Sequence, residues 1–224
     1  MFPSVRNTLM PELSLLEKIV IWAIPVIFAI TVHEVAHGWV ASQLGDPTAK
    51  SLGRLTLNPV KHIDPVGTII IPLVLLYIGN FIFGWAKPVP VTWKNLGHPR
   101  RDMALVALAG PSANLLMIII WAILAKFILI TGNDASETLQ LLLYMCGAGI
   151  LINILLMVLN LFPILPLDGG RVLSAMLPTA WARSYARLEP FGLIILVALL
   201  ATGMLGKILG PVIWNMEKLV HQFI

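Results

Sequence analysis

The chain has 224 residues, of which 58% are hydrophobic and only 12% are charged, about half the roughly 25% charged share that is typical of soluble domains. Together with a mean hydropathy of +0.89, this composition predicts an integral membrane protein and excludes an ordinary soluble domain. The formal net charge is +4, but no run of Lys and Arg is dense enough to follow a phosphate backbone, so we expect no nucleic-acid partner.

The first apolar run covers residues 15–44. It is long enough for one membrane-spanning helix, which needs about 20 apolar residues. Pro25 is expected to kink this helix, and the turn Gly45-Asp46-Pro47 is expected to end it.

The second half of this run contains the pattern His33-Glu34-Val35-Ala36-His37. On a helix, the two histidines lie one turn apart on one face, so both imidazoles can reach one metal ion. Glu34 lies beside them, and its carboxylate can accept a proton from a metal-activated water. Because ionisable side chains are costly inside a membrane, these residues are candidates for function.

Four further apolar runs follow along the chain. We predict an all-α polytopic membrane protein, a bundle of about five to six transmembrane helices with short extended or re-entrant segments between the first and third runs. The tail of the chain is expected to form an interfacial helix. The further runs cover residues 66–83, 103–130, 139–162 and 191–209, and the tail covers residues 211–224.

Loop charges predict the orientation of these helices. Three basic clusters are expected to be cytoplasmic, whereas the acidic turn of residues 131–137 is expected to face the other side. The loops before Asp64 and after Trp85 then lie on one side, so residues 66–83 are predicted to enter the membrane and return. The alternative is that one of these loops is an exception to the rule that basic loops are cytoplasmic. The clusters are Lys50, Arg54 and Lys61; Lys87, Lys94, Arg100 and Arg101; and Arg171, Arg183 and Arg187.

Two segments beside the second run have the patterns of short strands. Residues 53–59 alternate apolar and polar side chains, and residues 87–93 contain two prolines that are incompatible with a helix. Such strands could offer an edge to an extended peptide. Two ordinary loops are the alternative interpretation.

Asp168 is the strongest candidate for the third protein ligand that a catalytic zinc site requires. It follows the fourth apolar run, where Pro163 and Pro166 break the helix and two glycines come next. A carboxylate at such a break can point inward. The alternative is that Asp168 caps a short helix over residues 169–176.

Three blocks of this sequence resemble the site-2 protease family of intramembrane zinc metalloproteases, peptidase family M50. The blocks are residues 33–38, residues 109–114 (Ala-Gly-Pro-Ser-Ala-Asn) and residues 160–170, which contain Asn-Leu-Phe-Pro and Leu-Asp-Gly-Gly. Residues 84–91 are also similar to the compact bacterial and archaeal branch, which lacks an inserted PDZ domain. The blocks stand in the family's order and span most of the chain, which makes the resemblance specific.

The resemblance implies a role for each of five residues. His33, His37 and Asp168 would bind one Zn²⁺ ion per chain. Glu34 would be the general base. Asn114 would help to hold the substrate or the developing oxyanion, and an interhelical hydrogen bond is its alternative role.

The implied function is zinc-dependent hydrolysis of peptide bonds within or near transmembrane segments of other membrane proteins. Residues 1–224 are expected to form one integral-membrane metalloprotease domain, with a catalytic core at about 15–175 and C-terminal helices at about 187–224. The expected partners are transmembrane protein substrates and the lipid bilayer. The expected location is a prokaryotic cell (inner) membrane, with the zinc site nearer the cytoplasmic side. The sequence leaves open whether the chain forms a homodimer.

Two functions of other classes are compatible with a His-His-Asp set. A divalent-metal transporter would use His33, His37 and Asp168 as a transit site. A catalytically silent binding protein would present unfolded membrane helices to partners. Glu34 distinguishes a protease from a transporter, because transport needs no general base there, and the intact ligand set argues against a silent protein.

Overall fold

The computed structural model describes residues 13–71, 74, 77, 84–132 and 137–224. Eight α-helices can be bounded in this part of the chain. They are α1 (Leu15–Gln43), α2 (Thr48–Ser51), α3 (Pro99–Thr131), α4 (Glu137–Asn160), α5 (Asp168–Met176), α6 (Thr179–Ala186), α7 (Glu189–Ala201) and α8 (Met204–Phe223). Two 3₁₀ helices, Pro59–His62 and Trp93–Asn95, and a π-helix, Pro65–Ile70, lie between α2 and α3.

The first apolar run forms α1, as predicted. The helix begins at a capping box, in which the Glu17 N–H donates to Ser14 Oγ and the Ser14 N–H donates to the Glu17 carboxylate. It continues through Pro25 as one helix. Just after its end, Gly45 adopts a φ of 106°, a value that glycine tolerates best. The turn therefore ends the helix as expected.

The third and fourth apolar runs form α3 and α4, which pack against α1 as a three-helix bundle. Ile118 of α3 and Ile154 of α4 are among the buried residues of its core. Large apolar side chains also cover the outer faces, where Leu116 is 58% and Phe127 is 61% exposed. An apolar exterior of this kind is suited to lipid.

Three described helices, α1, α3 and α4, are long and apolar enough to cross a membrane, and a fourth crossing results if α6 and α7 form one span bent by 62°. The prediction of an all-α polytopic membrane protein is confirmed. The described spans are fewer than the predicted five to six for two reasons. The second apolar run lies largely outside the described residues, and the fifth run is interrupted.

The fifth apolar run is not one helix, which corrects the prediction for residues 191–209. It is divided between α7 and α8, and Gly203 between them adopts a left-handed φ of 70°. A residue in this conformation ends an α-helix even where the side chains stay apolar. The predicted tail helix of residues 211–224 belongs to the continuous helix α8, which begins earlier.

The two predicted strands are also wrong, because the described residues contain no strand. Residues 53–58 form a turn and a loop, Pro59 begins a 3₁₀ helix, and residues 87–91 are irregular. A strand needs a neighbouring strand for its hydrogen bonds, and the prolines in residues 87–91 lack the N–H groups that such a ladder uses. Alternating side chains alone therefore do not make these segments strands.

The two ends of the second apolar run lie together. The Trp85 N–H donates to the Gly67 carbonyl (3.0 Å), and the Thr68 hydroxyl donates to the Trp85 carbonyl (2.9 Å). Most of the run between these contacts lies outside the described residues, so the re-entrant path stays a prediction. Residues 72, 73, 75, 76 and 78–83 of the run lie outside the described part, as do residues 133–136 of the acidic turn.

Candidate metal centre

Helix α1 places two imidazole rings at one point of the bundle. His33 and His37 lie one helical turn apart, and their Nε2 atoms are separated by 3.1 Å. Both side chains are largely buried, with 8% and 12% of their surface exposed. The pair therefore presents two nitrogen atoms to one small, sheltered volume, as the spacing predicts.

Asp168 reaches the same point from a distant part of the sequence. It is the first residue of α5, and its Oδ2 atom lies 3.3 Å from the Nε2 atoms of both His33 and His37. The N-cap of α5 is Leu167, and no side chain caps this helix. The alternative in which Asp168 serves as a helix cap is therefore wrong.

Two glycines allow the start of α5 to pack directly on the loop before it. A Cβ atom on Gly170 would lie 2.5 Å from the Leu165 nitrogen. A Cβ atom on Gly169 would overlap with the Leu161 carbonyl. Because only glycine fits at these positions, the chain can turn back sharply after α4 and direct Asp168 into the bundle.

The three atoms have the spacing of a metal site. Zn²⁺ with tetrahedral ligands at about 2.0–2.1 Å gives ligand-to-ligand separations of about 3.3 Å, and the separations here are 3.1, 3.3 and 3.3 Å. Oδ2 of Asp168 is buried, and within the described residues no group donates a hydrogen bond to it. Two imidazole nitrogens and a carboxylate oxygen fit Zn²⁺, with a fourth position for water or substrate.

The far nitrogen of each imidazole is bound by a hydrogen-bond acceptor. Nδ1 of His33 lies 2.6 Å from Oδ1 of Asn114, and Nδ1 of His37 lies 2.7 Å from the Val106 carbonyl. Both contacts place the proton on Nδ1, which leaves the Nε2 lone pairs directed at the centre. This is the tautomer that a metal ligand needs, held by the kind of outer contact that zinc histidines use.

Helix α3 approaches the imidazoles closely at Gly110. A Cβ atom on this residue would lie 2.5 Å from His33 Cε1 and 2.5 Å from His37 Nε2. No side chain larger than hydrogen fits there without displacing a ring. Gly110 belongs to the second of the three sequence blocks, and this contact explains why glycine is required at that position.

A strap of residues 87–95 lies against the histidine motif. Oε2 of Glu34 accepts a hydrogen bond of 2.8 Å from the Val89 N–H. Pro88 and Pro90 have no N–H group, so Val89 supplies the single backbone donor of residues 88–90. The strap therefore holds one carboxylate oxygen of Glu34.

Asn114 lies behind His33, on the side away from Asp168. Its side chain is fully buried. Its Oδ1 atom faces His33, while Nδ2 donates to Asn153 Oδ1 (2.8 Å) and to the Ala29 carbonyl (3.4 Å). Both amide hydrogens are therefore engaged within the bundle. This arrangement corresponds to an interhelical hydrogen bond, the alternative role of Asn114.

Asp46 is a second buried carboxylate, for which the sequence indicates only a turn. Its side chain is fully buried and accepts hydrogen bonds from the Thr92 N–H (2.7 Å) and Asn95 Nδ2 (2.8 Å). It also accepts from the N–H and hydroxyl of Thr48. Burial acts to raise the pKa of Asp46, but these hydrogen bonds outweigh it and lower the pKa below its usual value. Asp46 thus fastens the strap to the end of α1.

Three groups that support the centre are not predicted from the sequence. The Val106 carbonyl and the Val89 N–H are backbone groups, which every residue type except proline supplies in full. Asn153 is visible only as an amide within an apolar run, a sign of function in membrane helices.

Comparisons with known proteins agree on one family. Residues 124–203 match peptidase family M50. Over 196 residues the chain is 37% identical to "Putative zinc metalloprotease YwhC" of Bacillus subtilis, which covers 85% of this chain and 84% of that protein. Over 184 residues it is 29% identical to "Putative zinc metalloprotease Rip2" of Mycolicibacterium smegmatis, with 81% and 66% covered. A Mycobacterium tuberculosis protein of the same name is 30% identical over 189 residues, with 83% and 69% covered. No solved structure matches the chain.

A bundle of lipid-compatible helices around a largely buried His-His-Asp cluster defines an integral membrane protein with a ligand set suited to zinc. The chain belongs to peptidase family M50. The resemblance inferred from the three sequence blocks is confirmed.

Proposed function

We propose that this membrane peptidase is an intramembrane zinc endopeptidase, which hydrolyses peptide bonds within or near transmembrane segments of other membrane proteins. The observation that carries the proposal is the triangle of acceptor atoms from His33, His37 and Asp168. The carboxylate of Glu34 follows directly on the same helix. The names of the relatives, which describe zinc metalloproteases, support the same activity.

Each residue of the centre has a separate task in this proposal. His33, His37 and Asp168 hold one Zn²⁺ ion, which when bound supplies the Lewis acidity that activates water and polarises the scissile carbonyl. Glu34 accepts a proton as water attacks the carbonyl carbon, and it then delivers that proton to the leaving amine nitrogen. The Val89 N–H holds Glu34 Oε2, so Oε1 is the oxygen that handles the proton.

We assign Asn114 a positioning role in place of direct contact with the oxyanion. Its two amide hydrogens are engaged by Asn153 and Ala29, and its oxygen faces His33. An oxyanion donor needs a free N–H about 2.7–3.1 Å from the developing charge. Asn114 instead orients His33.

The substrate must be locally unwound, because a helix holds its carbonyls in internal hydrogen bonds. The strap of residues 87–95 lies against Glu34, so an unwound peptide that lies along the strap would pass beside the base. The basic loops support a zinc centre nearer the cytoplasmic side of a prokaryotic cell membrane. We take residues 1–224 as one catalytic domain.

The proposal is tested by measuring zinc content and cleavage on the same purified preparations in lipid. The wild-type chain should hold one zinc and cleave a model transmembrane substrate. Glu34→Gln should keep the zinc, because glutamine still offers an oxygen to the Val89 N–H, and should lose about 100-fold or more of the cleavage rate.

Two results would contradict this function. Cleavage at the wild-type rate by the Glu34→Gln variant would show that Glu34 is not the general base. Zinc flux into vesicles that survives Glu34→Gln, with no cleavage by the wild-type chain, would favour the transporter.

A further inference from the structure

A line of buried amides runs from the candidate centre across the bundle. It leads from His33 of α1 through Asn114 of α3 to Asn153 of α4, and it ends at the Gly149 carbonyl. Asn114 and Asn153 are fully buried, and the His33 side chain is 8% exposed. The three spanning helices are thus joined by one polar path in an otherwise apolar core.

The last acceptor on this path sets the direction of every hydrogen bond before it. A backbone carbonyl can only accept, so Asn153 directs Nδ2 at Gly149 (2.7 Å) and Oδ1 at Asn114. Asn114 must then donate through Nδ2 (2.8 Å), which turns its Oδ1 towards His33 (2.6 Å). An oxygen at this position requires a hydrogen on His33 Nδ1 and leaves the lone pair on Nε2.

We propose that Asn153 is a positioning residue for the metal site, because through Asn114 it fixes the tautomer of His33 in which Nε2 can bind Zn²⁺. This inference rests on the proposed role of His33 as a ligand. His37 needs no such path, since its Nδ1 meets the Val106 carbonyl directly (2.7 Å). Asn153 therefore fixes the tautomer of His33, whereas the tautomer of His37 does not depend on it.

Loss of the Asn153 oxygen would leave the Asn114 amide held in this orientation only by the long contact of Nδ2 with the Ala29 carbonyl (3.4 Å), so the amide could rotate more easily. A rotated Asn114 presents its NH₂ group to His33 Nδ1, which then must accept, and the proton moves to Nε2. An imidazole with hydrogen on Nε2 cannot bind a metal through that atom. In a low-dielectric interior, the preference for the paired orientation is strong.

The first measurement is zinc affinity by competition with a chelator. Asn153→Leu, which has similar volume and no polar atom, should weaken zinc binding about 10-fold, the lower end of the range for residues that support metal ligands. Asn153→Asp should restore binding to within about 3-fold of wild type. A carboxyl group keeps an oxygen towards Asn114 and, when neutral, donates its O–H to Gly149.

The matched control is Ile154→Ala, the next residue on the same helix, which is also fully buried. This variant should lose thermal stability because it leaves a cavity, but its zinc affinity should equal that of wild type. The second measurement is the ¹⁵N spectrum of histidine-labelled, zinc-free protein. In Asn153→Leu, His33 should acquire signal from the form protonated on Nε2, while His37 should stay protonated on Nδ1 because the Val106 carbonyl accepts there.

Equal zinc affinity and unchanged spectra in Asn153→Leu would overturn the inference, as would equal weakening in Asn153→Leu and Ile154→Ala. His33→Ala separates this result from the proposed function. Loss of zinc in His33→Ala with wild-type affinity in Asn153→Leu would reject only the role of Asn153. Zinc bound at wild-type affinity in His33→Ala would reject His33 as a ligand, and both proposals with it.

Discussion

At the scale of single residues, the centre depends on which atom each side chain turns inward. His33 and His37 use Nδ1 for neighbouring acceptors, so both turn Nε2 inward, and Asp168 adds Oδ2. Three acceptor atoms about 3 Å apart repel one another, and burying a carboxylate among them is costly without a compensating positive charge. The arrangement is therefore suited to a cation.

Gly110→Ala tests how closely α3 must approach the imidazoles. The added methyl group would lie 2.5 Å from His37 Nε2 and from His33 Cε1, so at least one ring has to move. We expect zinc affinity to fall about 10-fold or more, since ligand geometry tolerates displacements of only tenths of an ångström. Chelator competition on the purified variant measures the effect.

Gly147→Ala is the matched control for this substitution. Gly147 also lies within a spanning helix, but a Cβ atom there meets nothing within 4 Å. Alanine should leave zinc affinity unchanged and stabilise the helix by about 0.5–1 kcal/mol. Equal zinc affinity in Gly110→Ala and Gly147→Ala would show that the close approach of α3 to the imidazoles does not affect zinc binding.

At the scale of elements, the strap of residues 87–95 connects the end of α1 to the candidate base. Asp46 binds it near one end through Thr92 and Asn95. Towards the other end, the Arg54 guanidinium donates to the Lys87 carbonyl (3.0 Å). Between these contacts the Val89 N–H reaches Glu34. An irregular segment is thus held in place by charged side chains, without pairing in a sheet.

Asp46→Asn tests this attachment through its dependence on pH. The asparagine amide turns an NH₂ group towards hydrogen-bond donors from which the carboxylate accepts. This mismatch should lower the free energy of unfolding by about 1–3 kcal/mol at pH 7. The folded-state pKa of Asp46 lies below its usual value. The carboxylate therefore stabilises the fold fully above about pH 4, and this stabilisation is lost as the pH falls through the usual aspartate pKa of about 3.9 towards the folded value.

Thermal unfolding of wild type and Asp46→Asn in detergent checks this expectation. The difference in Tm between the two proteins should be present at pH 7 and should shrink at pH 3. A difference that is the same at both pH values would contradict the proposed contribution of the ionised carboxylate.

At the scale of the whole molecule, two distant segments meet inside one bundle. α1 supplies both histidines, and α5, more than a hundred residues later, supplies Asp168. α3 lies against α1 and binds both imidazoles through Asn114 and the Val106 carbonyl, and α4 contacts Asn114 through Asn153. The centre therefore depends on the packing of the three long helices as well as on the ligands themselves.

Much of this arrangement is predictable from sequence because long apolar runs and the His33/His37 spacing act locally. The errors arise where local patterns are insufficient. Gly203 breaks a run that remains apolar, and residues 87–93 alternate without a neighbouring strand. The contacts of Val106 and Val89 come from backbone groups, whose partners are decided only when helices pack.

The most direct test of the account is the zinc affinity of Asp168→Ala beside that of wild type. Asp168 is the one proposed ligand that lies outside the histidine motif, so the convergence of α1 and α5 depends on it. We expect wild type to bind one zinc per chain and Asp168→Ala to lose it under the same chelator competition, while Glu34→Gln retains it. Zinc bound by Asp168→Ala with the affinity and stoichiometry of wild type would contradict the account.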